Sequence, residues 1–173
     1  MGIEIARVDE TGIYGFFGEY RYLSNFHVCN VVVDGKLFPS SEHAFMYGKL
    51  TDKAKEERFH RLEKCVDSDP IPVDMTTWYD EVILMSCKDV KAWGRTVDLR
   101  PDWNDIKIKV MEEALLSKFT LNEDIKQKLK DTGDLYLEET NWWKDTFWGV
   151  CNGVGENNLG KCLMRVRNDL KWI

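Results

Sequence analysis

Apolar residues recur at helical spacing through the second half of the chain. Between Asp102 and Phe119, the series Trp103, Ile106, Val110, Ala114 and Ile108, Met111, Leu115, Phe119 make one wide apolar face and predict a helix. From Asn158 to Lys171, Leu159, Leu163, Val166, Leu170 and Ile173 stand at intervals of four, three, four and three, which predicts a helix with one buried stripe. Asn122 to Lys130 reads as a shorter helix that Thr132-Gly133-Asp134 breaks. The first half reads differently. Ile13 to Phe17 and Val28 to Phe38 read as strands, and Asp34-Gly35 within the second is a hairpin signal. Pro39-Ser40-Ser41 then offers a serine cap for a helix from about Ser41 to Leu50. Asp52 to Cys65 is charged and predicted helical, Pro70 and Pro72 make Asp67 to Asp74 a loop, and Thr77 to Trp93 can form another helix. Helices dominate, with a small antiparallel sheet near the N-terminus: a helix-rich α+β fold. No repeat, low-complexity tract or linker interrupts residues 1–173, which are read as a single domain.

Composition narrows the possible roles. The 173 residues carry 24 Lys plus Arg against 30 Asp plus Glu, a formal net charge of −6. That balance disfavours a broad nucleic-acid surface, which would show a basic stripe. It leaves room for a nucleotide or sugar-phosphate ligand, which needs only a few local cations. Cys29, Cys65, Cys87, Cys151 and Cys162 form no C-x-x-C pair, and His27, His43 and His60 have no metal-binding spacing, so no metal site is expected. No apolar run approaches the roughly 18 residues a membrane helix needs. Met1 to Thr11 lacks an apolar signal core, so a cytoplasmic protein with no membrane partner is expected.

Three segments could carry chemistry. In Ser41-Glu42-His43-Ala44-Phe45-Met46-Tyr47-Gly48-Lys49, helical geometry puts Glu42 and Lys49 on one face, about 10 Å apart along the axis. A substrate could lie across them, although an acidic first turn and a solvated lysine give the same pattern. In Asp145 to Gly160, aromatics precede a glycine-rich loop that feeds a helix. Such a loop can admit an anion to free N–H groups, or simply turn and cap. Its glycines follow neither the dinucleotide fingerprint nor a P-loop. Trp142, Trp143 and Trp148 beside it can serve as core or as a stacking face for a base. Arg95 and Arg100, in a loop before the helix at Trp103, suit bidentate phosphate recognition and structural ion pairs alike.

The order of the segments is more specific than any one of them. Leu23-Ser24-Asn25-Phe26 is followed by Ser41-Glu42-His43 with Lys49, by Gly94-Arg95, and by Arg100-x-Asp102-Trp103. Then come Lys109-Val110-Met111 with Ala114-Leu115 and Lys118-Phe119. Trp148-Gly149 and Gly155-x-Asn157-x-Leu159-Gly160-x-x-Leu163-Met164-x-x-Arg167 close the series. The set resembles the YbiA-like N-glycosidase family of the NADAR (NAD and ADP-ribose) superfamily, from about residue 14 to residue 167.

That resemblance implies a hydrolase of N-glycosidic bonds that needs no cofactor. Its implied substrates are ribosylamino-pyrimidine phosphates, early riboflavin-pathway intermediates. Other superfamily members are associated with ADP-ribose derivatives, including ADP-ribosylated guanine, and a non-catalytic ADP-ribose reader is a further alternative. Glu42 matches the family's catalytic glutamate, Lys49 a lysine for which a Schiff-base role is conceivable, and Asp145 the acid of the D-x-[FY]-W-G motif. Asn25, Phe26, Arg95, Arg100, Trp148, Gly149, Gly155 and Asn157 are expected to bind substrate. Three departures stand out. Met46 replaces a common glutamine, Thr51 to Lys88 matches no family motif and is longer than usual, and Val150-Cys151-Asn152 replaces a more polar continuation.

Overall fold

The computed structural model describes residues 6–59 and 84–172. Three short β-structures and six α-helices follow one another among them. The first sheet holds β1 (Arg7–Val8), β2 (Gly12–Tyr14) and β5 (Tyr136–Glu138). β2 pairs antiparallel with β1 (Val8 opposite Ile13) and parallel with β5 (Ile13 opposite Leu137). The parallel strand was not read from the sequence. The strand expected at Ile13 to Phe17 ends early because Gly15 takes φ +87° and turns the chain. The expected hairpin is present: β3 (Val31–Val33) pairs antiparallel with β4 (Lys36–Phe38). Asp34 and Gly35 have φ of +50° and +70°, the left-handed pair that a two-residue hairpin turn requires. β6 (Thr140–Asn141) and β7 (Val150–Cys151) form a third, parallel pair.

The helices are α1 (Ser41–Gly48), α2 (Asp52–Phe59), α3 (Cys87–Trp93), α4 (Trp103–Leu121), α5 (Glu123–Asp131) and α6 (Asn158–Asp169). Ser40 caps α1, its Oγ accepting the His43 N–H at 3.3 Å, a contact typically worth about 1 kcal/mol. Every residue of α1 is buried, so its polar side chains had to be built into the core rather than onto a surface. α4 is the central element. It buries Trp103, Met111, Leu115 and Phe119 in the main core and Ala114 in a second cluster with Val31, Phe38, Ala44, Tyr47 and Leu50. Each large apolar side chain buried there contributes roughly 1.5–3 kcal/mol.

Asn122 divides α4 from α5: its φ and ψ of −123° and 92° are not helical, and its Nδ2 donates to the Lys118 carbonyl at 2.7 Å. α6 buries Leu159, Leu163 and Val166 as the stripe requires, and Leu170 continues it in a 3-10 turn. The loop expected at residues 67–74 and the helix expected from Thr77 lie wholly or partly outside the described residues, as do Ile173 and the end of the charged helix after Phe59. Among the described residues, no helix is long and apolar enough to cross a membrane.

Candidate active site

Glu42 sits in the first turn of α1 with 4% of its surface exposed. Its Oε1 is shut from solvent and has no hydrogen-bond partner among the described residues. The helix start that holds it is anchored from another segment. The Glu42 N–H donates to the Asn25 carbonyl at 3.2 Å, and Ser41 Oγ donates to Asn25 Oδ1 at 3.0 Å. Asn25 Nδ2 in turn points to Met111 Sδ at 3.3 Å. The turn carrying Asn25 is fixed from α4, where the fully buried Lys118 donates its Nζ to the Ser24 carbonyl at 2.9 Å. Asn25 therefore braces Glu42, which is a different task from the substrate contact expected of it.

Burial pushes the Glu42 carboxyl up to about 7, Asp145 pushes the same way, and Lys91, Lys49 and Arg95 oppose them. Lys49 lies just past the end of α1. Its Nζ donates to the Gly94 carbonyl at 3.1 Å and stands 5.8 Å from the Phe45 ring centroid. Burial pulls its ammonium down from the usual lysine range, while Glu42 holds it up. The shared face expected for Glu42 and Lys49 is thus an electrostatic pair. Arg95 is exposed and acts on both. Phe26 forms a wall carrying two more cations, Lys91 at 5.6 Å and Arg21 at 5.9 Å from its ring centroid.

Trp148 packs edge-on against Phe45, one helical turn beyond Glu42, with ring centroids 5.2 Å apart. The Trp148 N–H donates to Asp145 Oδ1 at 2.8 Å, and the Phe147 N–H donates to the same oxygen at 3.2 Å. Asp145 thus fixes the backbone that carries the tryptophan. Trp142 and Trp143 are not core residues: they are exposed, and Trp142 lies 5.3 Å from the Phe17 ring. The Arg100 side chain is committed to Asp102, with Nε and Nη2 donating at 2.7 and 3.1 Å, while its backbone N–H donates to the Lys49 carbonyl at 2.9 Å.

The glycine-rich loop serves close backbone packing. A Cβ at Gly155 would clash with the Gly149 carbonyl, and one at Gly160 with the Leu137 carbonyl. Asn157 is buried in the left-handed conformation, φ +54°. Its Nδ2 donates to Leu137 O at 2.8 Å and to Tyr136 Oη at 2.9 Å, and its Oδ1 accepts the Glu139 N–H at 3.1 Å. Met46, at the position of the missing glutamine, is buried and packs against Gly94, where even a Cβ would collide with its sulfur.

Two charged residues were not singled out from the sequence. Lys91, on α3, acts on both buried carboxyls. Glu139 is the other carboxyl: its Oε2 is shut from solvent with no partner among the described residues. Burial pushes it up to about 7, Asp145 and Glu42 add to the rise, and Lys91 and Arg21 oppose it. In the sequence Leu135, Leu137 and Glu139 alternate with Tyr136 and Glu138, but over a stretch too short to mark a strand. Among the described residues, no cluster of His, Cys, Asp and Glu is arranged to hold a metal.

Fold and site together define a helix-rich α+β domain that shuts in an unpaired oxygen of each of two carboxyls within the field of lysine and arginine side chains. Residues 15–171 match the NADAR domain, and the chain belongs to that family. N-glycosidase YbiA of Escherichia coli is 31% identical over 170 residues, covering 96% of this chain and 93% of that protein. A riboflavin biosynthesis protein of Vibrio vulnificus is 32% identical over 153 residues, 88% of this chain, and this chain spans 36% of its length. The solution structure of E. coli YbiA superposes with a TM-score of 0.71 at 28% identity, covering 96% of this chain and 88% of that one.

Proposed function

We propose that this NADAR-family N-glycosidase hydrolyses the C–N bond between a ribose phosphate and an amino-pyrimidine. The observation that carries the reading is Glu42 Oε1, buried and unpaired beside Lys49, Lys91 and Arg95. Leaving a buried carboxylate without a hydrogen bond costs several kcal/mol, which a structural residue would not incur. Cleavage builds positive charge on the anomeric carbon, and an ionised Glu42 answers it or takes a proton from the attacking water. Trp148 stacks on the departing base, with Asp145 setting its position. The exposed Arg95 meets the phosphate. The names of the relatives, an N-glycosidase and a riboflavin biosynthesis protein, support both reaction and substrate class.

A second reading makes Lys49 a nucleophile that forms a Schiff base with the opened sugar while Glu42 moves protons. The partial burial of Lys49, which favours its neutral form, is what favours it. Both readings share one test. Ribosylamino-pyrimidine phosphate, NAD, ADP-ribose and ADP-ribosylated guanosine are each incubated with enzyme, and products are read by mass spectrometry. Free pyrimidine and ribose phosphate are expected from the first compound, with Glu42→Gln at least about 100-fold slower. Release of ADP-ribose from the last compound alone would move the substrate to ADP-ribosylated bases. Tight binding without products would make the domain a reader. Borohydride that traps a sugar on Lys49 during turnover selects the covalent route.

A further inference from the structure

We propose that Glu139 is the second catalytic carboxyl of this site, the acid that gives its proton to the departing base. The inference rests on the N-glycosidase reading and assigns the group that reading lacks.

Glu139 is aimed from three sides. Its N–H donates to Asn157 Oδ1 at 3.1 Å, and its carbonyl accepts the Val150 N–H at 2.9 Å. Gly149 makes room beside it: a Cβ there would clash with the Glu139 carbonyl and stand 3.0 Å from Glu139 Cγ. The backbone is therefore rigid while Oε2 is left shut in and unpaired, as Glu42 Oε1 is. The next residue along is a built-in contrast. Glu138 lies on the opposite face of the strand, and its Oε1 accepts the Thr140 hydroxyl at 2.7 Å. A carboxyl kept only for structure would be paired as Glu138 is.

The two unpaired carboxyls come from separate segments, the first turn of α1 and the end of β5, and the charge of Glu42 acts on Glu139. Lys91 acts electrostatically on both, Arg21 on Glu139, and Lys49 and Arg95 on Glu42. Two shut-in carboxyls that repel one another do not both ionise, so one proton is retained between them. With Glu42 ionised, Glu139 holds it. As the C–N bond breaks, its electron pair goes to the base nitrogen, which takes the proton from Glu139. Water adds to the anomeric carbon and gives its proton to Glu42. The products are free base and sugar, and transfer of that proton from Glu42 back to Glu139 restores the starting state.

The test compares Glu139→Gln, Glu139→Asp and Glu138→Gln, each with a thermal melt and a pH profile of kcat. Glu139→Gln is expected to lose about 100-fold or more in kcat with KM changed little, and to lose the alkaline limb of the profile. Glu139→Asp should retain that limb at reduced kcat, and Glu138→Gln should match the wild type. A Gln variant with wild-type kcat and both limbs overturns the proposal. So does one that no longer unfolds cooperatively, because Glu139 would then be structural. A wild-type enzyme inactive on every compound of the panel defeats the N-glycosidase reading instead, and is recognised before any variant is made.

Discussion

Two side chains concentrate the tension in this molecule. Glu42 and Glu139 are each pushed by burial from the usual carboxyl range to about 7. The folded protein therefore binds their protons more tightly than the unfolded chain does. The resulting stability is complete below the unfolded value, near 4.5, and is lost as pH rises through about 7. Glutamine at position 42 removes Glu42's share of this dependence and leaves that of Glu139. Glu42→Gln should melt several degrees above the wild type at about pH 8, a gain on the order of 1–3 kcal/mol, with a smaller difference at about pH 5. Melts of both proteins across that range check it, and a variant less stable than wild type at the higher pH would show that the charge is satisfied. Glu42 was legible because it opens a helix and lies within a recognisable series of motifs. Glu139 was not, because an acid at a strand end looks the same in sequence whether it meets solvent or is shut in. Asn25 and Asn157 were found, but their hydrogen bonds to segments far away in the chain were not legible.

At the scale of elements, long helices were legible and short strands were not. α4 and α6 each present several turns of apolar spacing, and they lie within two residues of their expected starts and ends. β5, β6 and β7 have two or three residues each, too few to show alternation, and two of their pairings are parallel and join distant segments. Beyond the packing of Leu137 with Leu159 and Leu163, Asn157 ties β5 to the start of α6 by hydrogen bonds. Asn157→Ala removes the acceptor for the Glu139 N–H and the donor to Leu137 O, and leaves an alanine at φ +54°. A loss of about 3 kcal/mol is expected, with a lower kcat as Glu139 loses its aim. Asn157→Gly separates the two effects. It accepts the left-handed backbone and recovers part of the melting temperature, but it restores no hydrogen bond and should recover little of kcat. Equal recovery of both would assign the defect to backbone strain alone.

Over the whole molecule, the formal charge of −6 conceals a local field of the opposite sign. Lys49, Lys91 and Arg95 act on Glu42, and Lys91 and Arg21 act on Glu139, so four cations share the field of two shut-in carboxyls in an acidic protein. Net charge disfavours a broad basic surface, but it says nothing of a field confined to a few buried groups. The two scales make opposite predictions for a phosphorylated substrate. If the net charge governs encounter, added salt speeds capture by screening repulsion. If the local field governs it, salt slows capture. Raising the ionic strength from about 0.01 M to about 1 M shortens the Debye length from about 30 Å to about 3 Å, enough to screen distant charges at either scale. We expect kcat/KM for the ribosylamino-pyrimidine phosphate to fall across that range, and the dephosphorylated compound to change little. Arg95→Gln should flatten the salt dependence and raise KM, because Arg95 is the exposed cation of the four that acts on both Glu42 and Lys49. A rate that instead rises with salt in the wild type would place the phosphate away from these cations.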